Sequence, residues 1–395
     1  MTVSQVFLEH FIPLQNQDVQ VRATKQLLLD IFPSWIPDKI AVTSLKGGIT
    51  NCLLQCVYMP NTSQEFTVLV RAYGRGTGTI IDRSREYCTH IRLYSHGLAP
   101  PLYARFQNGL VYGFIAGRSV DYHELSNPLL MKGVAKMLAQ WHTVLEANAI
   151  KMLIRDEFPD SCSKQSEELV DDIWQLCAKW INKLPSETTG QEATKTALVK
   201  ELNWVMKEIC DKGGPTVVSH CDLLSGNIIV PEDWKPDKTL SATSPPVTFI
   251  DYEYSLPTPR AFDLANHFME WQGFDCNVSL IPKVGGPTMR EWGKTYLEGV
   301  KTYSKHIALT TSSFINTTTK SEITVSESEV DSLMEEIRTW WGMPGFYWGI
   351  WAIIQSTIST IDFDYVTYSR NRLSEYWSWK QDYIENKQKV IESNL

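Results

Sequence analysis

Four polar side chains at fixed offsets carry the chemistry of this chain. His220, Asp222 and Asn227 lie in VVSHCDLLSGNIIV (217–230), and Asp251 lies in TFIDYEY (248–254). Each stretch opens on a short β-branched run that reads as a buried strand, and each run ends on an acidic residue. Phosphoryl transfer from a nucleotide needs one carboxylate to orient the attacking hydroxyl, and further oxygen ligands to hold Mg²⁺ against the phosphates. Two hairpin strands with polar ends are the plain alternative, since Asp and Asn are common turn residues. Four polar residues at matching offsets, framed by strands, favour the catalytic reading.

Protein kinases use H-R-D-x-x-x-x-N and then D-F-G for these tasks, with the same Asp-to-Asn separation. In kinase order, residues upstream should handle the nucleotide. Lys46-Gly47-Gly48-Ile49-Thr50-Asn51 stands at a strand–turn–strand. Its glycines let backbone N–H groups approach a phosphate, and Thr50 and Asn51 add side-chain hydrogen bonds. Alone, Gly-Gly is as well explained by a hairpin turn; upstream of Asp222 it reads as a nucleotide flap. Arg71 lies where a kinase places its strand lysine, and Glu86 on the following helix is its expected partner. An arginine can fork onto phosphate oxygens while holding a carboxylate; a surface ion pair is the alternative. Gly74–Gly78 lacks the third glycine and the later acid of a dinucleotide fingerprint, so it reads as a flexible loop. His220 reads as a prop for the loop rather than a proton carrier.

The substrate side is written on two helices. Asp263, Asn266 and Glu270 fall at i, i+3 and i+7 on one face. Their neighbours Phe262, Leu264, Phe268, Met269 and Trp271 are apolar, so the stripe is expected to point into a site, with Asp263 holding the catalytic-loop backbone and Glu270 meeting substrate. Trp348 and Trp351 stand three apart on one helix and Tyr368 follows. Aromatic faces beside a carboxylate suit an organic cation; an aromatic core is the competing explanation for any one of them.

The elements that must position these residues fall into two regions. Ala41–Leu45, Cys52–Tyr58, Thr67–Tyr73, Pro100–Ala104 and Leu110–Ile115 read as strands of an antiparallel sheet, with one helix over 80–95. After Gly117 the pattern turns helical: Leu130, Val134, Met137, Leu138, Trp141 and Leu145 form one apolar stripe. Helices are also expected over 167–183, 193–211, 261–272, 289–303 and 330 to about 380. The Ser/Thr- and Pro-rich stretches 231–246 and 309–328 read as mobile insertions. A lobe over 1–115 and a second over 116–395, within one α+β kinase-like domain, is the expected organisation.

The 395 residues carry 37 Lys+Arg against 45 Asp+Glu, a net charge of −8. That argues against a general nucleic-acid binder. The first residues lack the pattern of a signal peptide, and the apolar run 346–361 is too short to span a bilayer. The eight cysteines are scattered without a C-x-x-C pair, so reduced thiols in a cytoplasmic protein are expected, without a structural metal.

From about Leu45 to Trp377 the chain resembles the choline/ethanolamine kinase family. The resemblance rests on KGGITN (46–51), VRAYG (70–74), IIDR (80–83), HGLAPPLYARFQNG (96–109), SHCDLLSGN (219–227), FIDYEY (249–254), AFDLANHFMEW (261–271) and FYWGIWAIIQ (346–355). It implies a protein-kinase-like bilobal fold with a small antiparallel-sheet N-lobe and a mostly helical C-lobe. It also implies phosphorylation of a small amino alcohol with ATP and Mg²⁺. Carried over by position, Asp222 is the catalytic base, Asn227 and Asp251 are the Mg²⁺ ligands, and Arg71 binds nucleotide phosphates. Tyr254, Glu270, Trp348, Trp351 and Tyr368 form the amino-alcohol pocket. Asp222-Leu-Leu and Ile250-Asp-Tyr-Glu-Tyr254 are closer to the ethanolamine than to the choline kinases. Cys221 departs from the Asn usual between His and Asp, and Gly113 from a hinge Glu. The segment after Trp271 diverges, so one aromatic wall is unassigned. A choline or dual-specificity kinase is the near alternative, an aminoglycoside or sugar phosphotransferase a further one. A pseudokinase binding module would have lost one of Asp222, Asn227 or Asp251, and all three are present.

Overall fold

The computed structural model describes residues 6–45, 51–60, 65–74, 76–159, 169–235, 244–311, 323–359 and 361–393. Gly47, Gly48 and Thr50 of the expected flap lie outside these residues, as do 236–243 and 312–322 of the two expected insertions.

Residues 1–83 and 90–116 form one compact unit, and residues 84–89 with 117–395 form the other. In the first unit, period-2 runs build strands β1 (Val6–Leu8), β2 (Ile40–Leu45), β3 (Asn51–Tyr58), β4 (Phe66–Tyr73), β5 (Leu102–Phe106) and β6 (Gly109–Gly113). Their order is β1-β5-β6-β4-β3-β2. The inner pairings are antiparallel, with Asn51 opposite Tyr73 and Leu53 opposite Arg71. β1 adds in parallel to β5, a strand not expected from so short a run. Helix α1 (Gln17–Ile31), also unforeseen, is capped by Asn16. It lays Leu27 and Leu28 on Leu54, Cys56, Val68, Val70 and Val111 to close this unit's core. Helix α2 (Arg83–Ser95) follows.

In the second unit, Pro128 sits in the first turn of α3 (Pro128–Val144), after the cap Asn127, where its missing N–H costs nothing. The stripe Leu130, Val134, Leu138 and Trp141 is buried, and the Trp141 indole donates to the Val218 carbonyl at 2.9 Å. Helix α4 (Ala147–Glu157) was not foreseen. Helix α5 (Ile173–Lys183) starts later than expected because Asp172 caps it. Helix α6 (Thr189–Ile209) starts earlier, behind a Thr188/Gln191 capping box. Helices α7 (Arg260–Met269), α8 (Pro287–Thr311), α9 (Glu327–Trp340), α10 (Met343–Ile358) and α11 (Tyr365–Ser393) complete the unit.

The single helix expected from 330 to about 380 is therefore three. Pro344 in the first turn of α10 lacks the N–H that a continuous helix requires there. α10 ends at Ile358, and the next helix opens where Asp364 accepts the Thr367 N–H at 2.9 Å. Both break signals are local, and the apolar periodicity across them masked the stops.

Five short strands hold the loops that carry Asp222, Asn227 and Asp251: β7 (Arg118–Ser119), β8 (Thr216–Ser219), β9 (Ile228–Val230), β10 (Thr248–Phe249) and β11 (Leu256–Pro259). β8 pairs with β11, and β9 pairs with β10 and β7. The loop joining β8 to β9 and the turn joining β10 to β11 are thus each anchored at both ends by the same two ladders. Asp222 and Asn227 sit on the first, and Asp251 on the second.

Helices α10 and α11 approach closely through Gly345 and Gly349. A Cβ on Gly345 would come within 2.4 Å of the Arg372 carbonyl oxygen, and one on Gly349 within 2.6 Å of Leu373 Cγ. Gly345→Ala is expected to cost about 1–3 kcal/mol by overpacking, read as a lower urea midpoint. Gly190→Ala, where nothing lies within 4 Å, should leave the midpoint unchanged or slightly raised. Equal midpoints for the wild type and Gly345→Ala would contradict the close approach.

Candidate active site

A single buried carboxylate organises the loop that carries Asp222 and Asn227. Asp263 on α7 accepts the backbone N–H of His220 through Oδ2 at 2.9 Å and that of Cys221 through Oδ1 at 2.8 Å. His142 on α3 reaches the same Oδ2 at 2.9 Å, and its other ring nitrogen meets the Tyr296 hydroxyl at 2.8 Å. Burial alone would raise the Asp263 pKa. The His142 hydrogen bond, the His142 and His220 environment and the His220 N–H outweigh it, and the group lies below the ordinary carboxylate range. One turn on, Asn266 donates to the Cys221 carbonyl at 3.0 Å and accepts the Trp348 indole N–H at 2.8 Å. The polar stripe on this helix is fully interior: Asp263 and Asn266 are 0% exposed and Glu270 is 8% exposed.

This grip holds a strained backbone. Cys221 has φ of 65° and Asp251 has φ of 63°, the left-handed region that costs a non-glycine residue about 1–3 kcal/mol when it must be maintained. His220 joins the two loops. Its Nδ1 accepts the Asp222 N–H at 3.3 Å, and its Nε2 donates to the Ile250 carbonyl at 3.0 Å. Those two bonds fix a neutral tautomer, and burial lowers its pKa to about 4. His220 is a brace. The Asn227 carbonyl also takes the Ile250 N–H at 3.0 Å.

Asn227 Nδ2 donates to the Asp222 carbonyl at 2.8 Å and to its Oδ2 at 3.2 Å. The amide nitrogen is committed to Asp222, and Oδ1 is the atom of that side chain able to ligate a cation. Burial pushes the Asp222 carboxyl well above the ordinary range, and the charges of Asp251, Glu270 and Glu253 push the same way against the Asn227 hydrogen bond. Several carboxylates thus share one neighbourhood whose excess negative charge calls for cations.

The expected aromatic residues come together beside these acids. The Trp351 indole donates to the Tyr254 hydroxyl at 2.9 Å. Trp348 stands edge-on to Tyr254 at 5.5 Å and to Trp351 at 5.3 Å. Tyr365 lies 5.9 Å from Trp351, and Phe363 lies 5.5 Å from Tyr368. Phe274, from the segment left unassigned by sequence, reaches Tyr368 at 6.4 Å. Glu270 meets Arg372, whose Nη2 lies 3.4 Å from its Oε1. Arg372, Phe274, Phe363 and Tyr365 were missed. No local signal separates Arg372 from Arg370 and the other basic residues of α11.

In the first unit, Arg71 is buried on β4, its guanidinium 5.8 Å from the Tyr112 ring centre. Asn51 accepts from Arg83 at 2.9 Å, and Arg83 also donates to Thr77 at 2.8 Å while lying 4.0 Å from the Tyr73 ring centre. Arg83 therefore ties the start of β3 to the glycine loop, a role not read from sequence. Glu86 is buried on α2 and clusters with the second unit, whereas Arg71 belongs to the first.

The model of the choline/ethanolamine kinase family matches residues 42–377. The chain belongs to this family. It is 31% identical to human ethanolamine kinase 1 over 366 residues, covering 90% of this chain and 71% of the relative. An ethanolamine kinase structure from Plasmodium vivax matches with a TM-score of 0.70 and 25% identity, over 92% of this chain and 89% of that one. A choline kinase structure from Cryptosporidium parvum shares the fold, at TM-score 0.63 and 17% identity over 94% of this chain and 98% of that one. The architecture is thus the protein-kinase-like α+β fold, and the chain is a kinase.

Kinases of this kind work with a divalent cation, and the donor set here fits one. Asn227 Oδ1 and the Asp251 carboxylate are hard oxygen donors beside surplus negative charge. Among the described residues no group of three or more His, Cys, Asp or Glu side chains is placed to hold a metal by itself. That pattern suits Mg²⁺, which takes one or two protein oxygens and completes its shell with phosphates and water.

His267 repeats the His220 arrangement: Nδ1 donates to the Leu223 carbonyl at 3.0 Å, Nε2 accepts from Trp271 at 3.4 Å, and burial lowers its pKa to about 4. A histidine with a depressed native pKa contributes stability that is complete above its unfolded value, here 6.5. The contribution is lost as pH falls toward 4, because the unfolded chain binds protons that the fold refuses. The kinase should therefore lose about 1–2 kcal/mol per such histidine between pH 7 and pH 5. His267→Gln should flatten the dependence of melting temperature on pH across that window. An unchanged slope would show that His267 is not held neutral.

Proposed function

We propose that this kinase transfers the γ-phosphoryl group of ATP to the hydroxyl of ethanolamine, giving phosphoethanolamine and ADP. The observation that carries the reading is a buried carboxylate, Glu270, within electrostatic reach of both Asp222 and Tyr368, together with the packed aromatic cluster of Tyr254, Trp348 and Trp351. A desolvated primary ammonium needs acceptors for its N–H groups as well as charge, and Glu270 supplies both. The aromatic rings bind the positive charge diffusely.

In this reading the substrate hydroxyl lies against Asp222. Its oxygen forms the bond to the γ-phosphorus, the bond from that phosphorus to the β,γ-bridging oxygen breaks, and the hydroxyl proton passes to Asp222. Asn227 fixes the Asp222 carboxylate through its amide hydrogen bond. Arg71, with the flap residues Gly47, Gly48, Thr50 and Asn51, is assigned to the nucleotide phosphates. Asn227 and Asp251 would hold Mg²⁺, which would neutralise charge on the phosphates. Positioning and electrostatics provide the acceleration, as expected for phosphoryl transfer. The seven described cysteines are free, which suits a reducing cytoplasmic setting.

ATP consumption measured side by side on ethanolamine and choline tests the assignment. Ethanolamine should have the higher kcat/KM; a preference for choline would leave the broader kinase assignment and overturn the substrate.

Asp222→Asn should lower kcat by more than about 10²-fold while leaving ATP binding nearly intact, and a variant retaining the wild-type kcat would remove Asp222 as the base. Asn227→Ala and Asp251→Ala should each move the Mg²⁺ activation curve to higher concentration; unmoved curves would separate both from the metal.

Glu270→Gln keeps an acceptor oxygen but loses a charge-assisted bond of about 1.5–3 kcal/mol. It should damage ethanolamine turnover more than choline turnover, and Trp351→Ala should damage choline at least as much as ethanolamine. Equal losses of the two substrates in Glu270→Gln would separate this carboxylate from the ammonium.

A further inference from the structure

The charge of the pocket is not set by Glu270 alone. Arg372, 1% exposed, stands between two acids: its Nη2 is 3.4 Å from Glu270 Oε1, and its Nη1 is 3.3 Å from Glu375 Oε2. Gln272 donates to the other Glu375 oxygen at 3.0 Å. Arg372 also lies 5.9 Å from the ring centre of Tyr368. Both arginine contacts are single-toothed and longer than the roughly 2.7–2.9 Å of a charge-assisted pair, so neither carboxylate is fully neutralised. Burial raises both acids, and Arg372 is the charge that opposes this in each. The remaining titratable neighbours of Arg372 are Cys276 and Tyr368, and burial holds both up, as neutral thiol and phenol. Two carboxylates and one guanidinium leave one negative charge in a desolvated cluster.

We propose that Arg372 and Glu375 are positioning residues that fix the amine pocket at a net charge of minus one, with Glu375 drawing part of the guanidinium away so that Glu270 remains able to bind a monocation. The proposal rests on the amino-alcohol reading of the same site. A buried acid–base pair of zero net charge would offer an ammonium little, whereas two unopposed buried carboxylates would share a proton rather than stay ionised. The third charge holds the cluster between those states.

Glu375→Gln tests it with almost no change of shape. It leaves Arg372 to pair with Glu270 alone, and the cluster charge goes to zero. The KM for ethanolamine should rise about tenfold or more with kcat within about twofold, although Glu375 is not assigned to touch substrate. The double variant Arg372→Gln with Glu375→Gln returns the cluster to minus one and should recover most of the lost KM. A residue that only packs would show additive damage instead. If wild-type enzyme does not phosphorylate ethanolamine, the substrate reading and this proposal fail together. If it does, and Glu375→Gln keeps the wild-type KM or the double variant is worse than the single one, the proposal alone is overturned.

Discussion

The loop that carries Asp222 and Asn227 depends on one carboxylate having two acceptor oxygens. Asp263 spends both on consecutive backbone N–H groups, those of His220 and Cys221, and the His142–Tyr296 pair holds it in turn. Without that grip, nothing local would keep a cysteine at φ of 65°, because the left-handed region penalises a Cβ. With it, the loop turns so that Asp222 and Asn227 emerge side by side. The cost of the strained turn and of burying the acid falls in the interior of the helical unit, where the surroundings over-determine both.

The same helix reaches further. Asn266 follows Asp263 one turn on and Glu270 caps the C-terminal end, so one rigid element fixes the backbone of the loop that carries Asp222, the Trp348 indole and the Glu270 carboxylate. On the proposed reading, phosphate chemistry and amine recognition are therefore not separately adjustable. A rotation of α7 that improved one would move the other. The two short ladders, β8 with β11 and β9 with β10, add a second constraint by pinning both acidic loops at the same ends.

How much of this could be read from the sequence followed the range of each interaction. The H-x-D-x-x-x-x-N spacing, the later Asp251 and the Asp263–Asn266–Glu270 face are local patterns, and each was legible because strand and helix periods place such residues without tertiary information. The strands of the first unit were legible for the same reason, within a residue or two at their ends. The Arg372–Glu270 pair, the His142 support and the parallel addition of β1 join residues far apart in the chain. Nothing in a local window separates a buried arginine on α11 from the surface ones beside it. The helix breaks before Pro344 and before Asp364 were missed because apolar periodicity continued across them, while the proline and the capping aspartate each open a new helix.

The contacts that complete the amine pocket close long stretches of chain: Trp348 to Asn266 across 82 residues, Trp351 to Tyr254 across 97, and Arg372 to Glu270 across 102. The loop contacts of Asp222 and Asn227 span only five. Because loop-closure entropy must be overcome before distant contacts repay it, the two halves of the site have different histories in a growing chain. A nascent polypeptide that has emerged through α7 already holds every residue of the loops that carry Asp222, Asn227 and Asp251, yet of the four aromatic residues assigned to the pocket only Tyr254 has been made, and Arg372 has not. On the proposed reading, such a chain holds the reactive acid before the residues that choose an acceptor have been made, so selectivity is written in the part of the chain that is synthesised last.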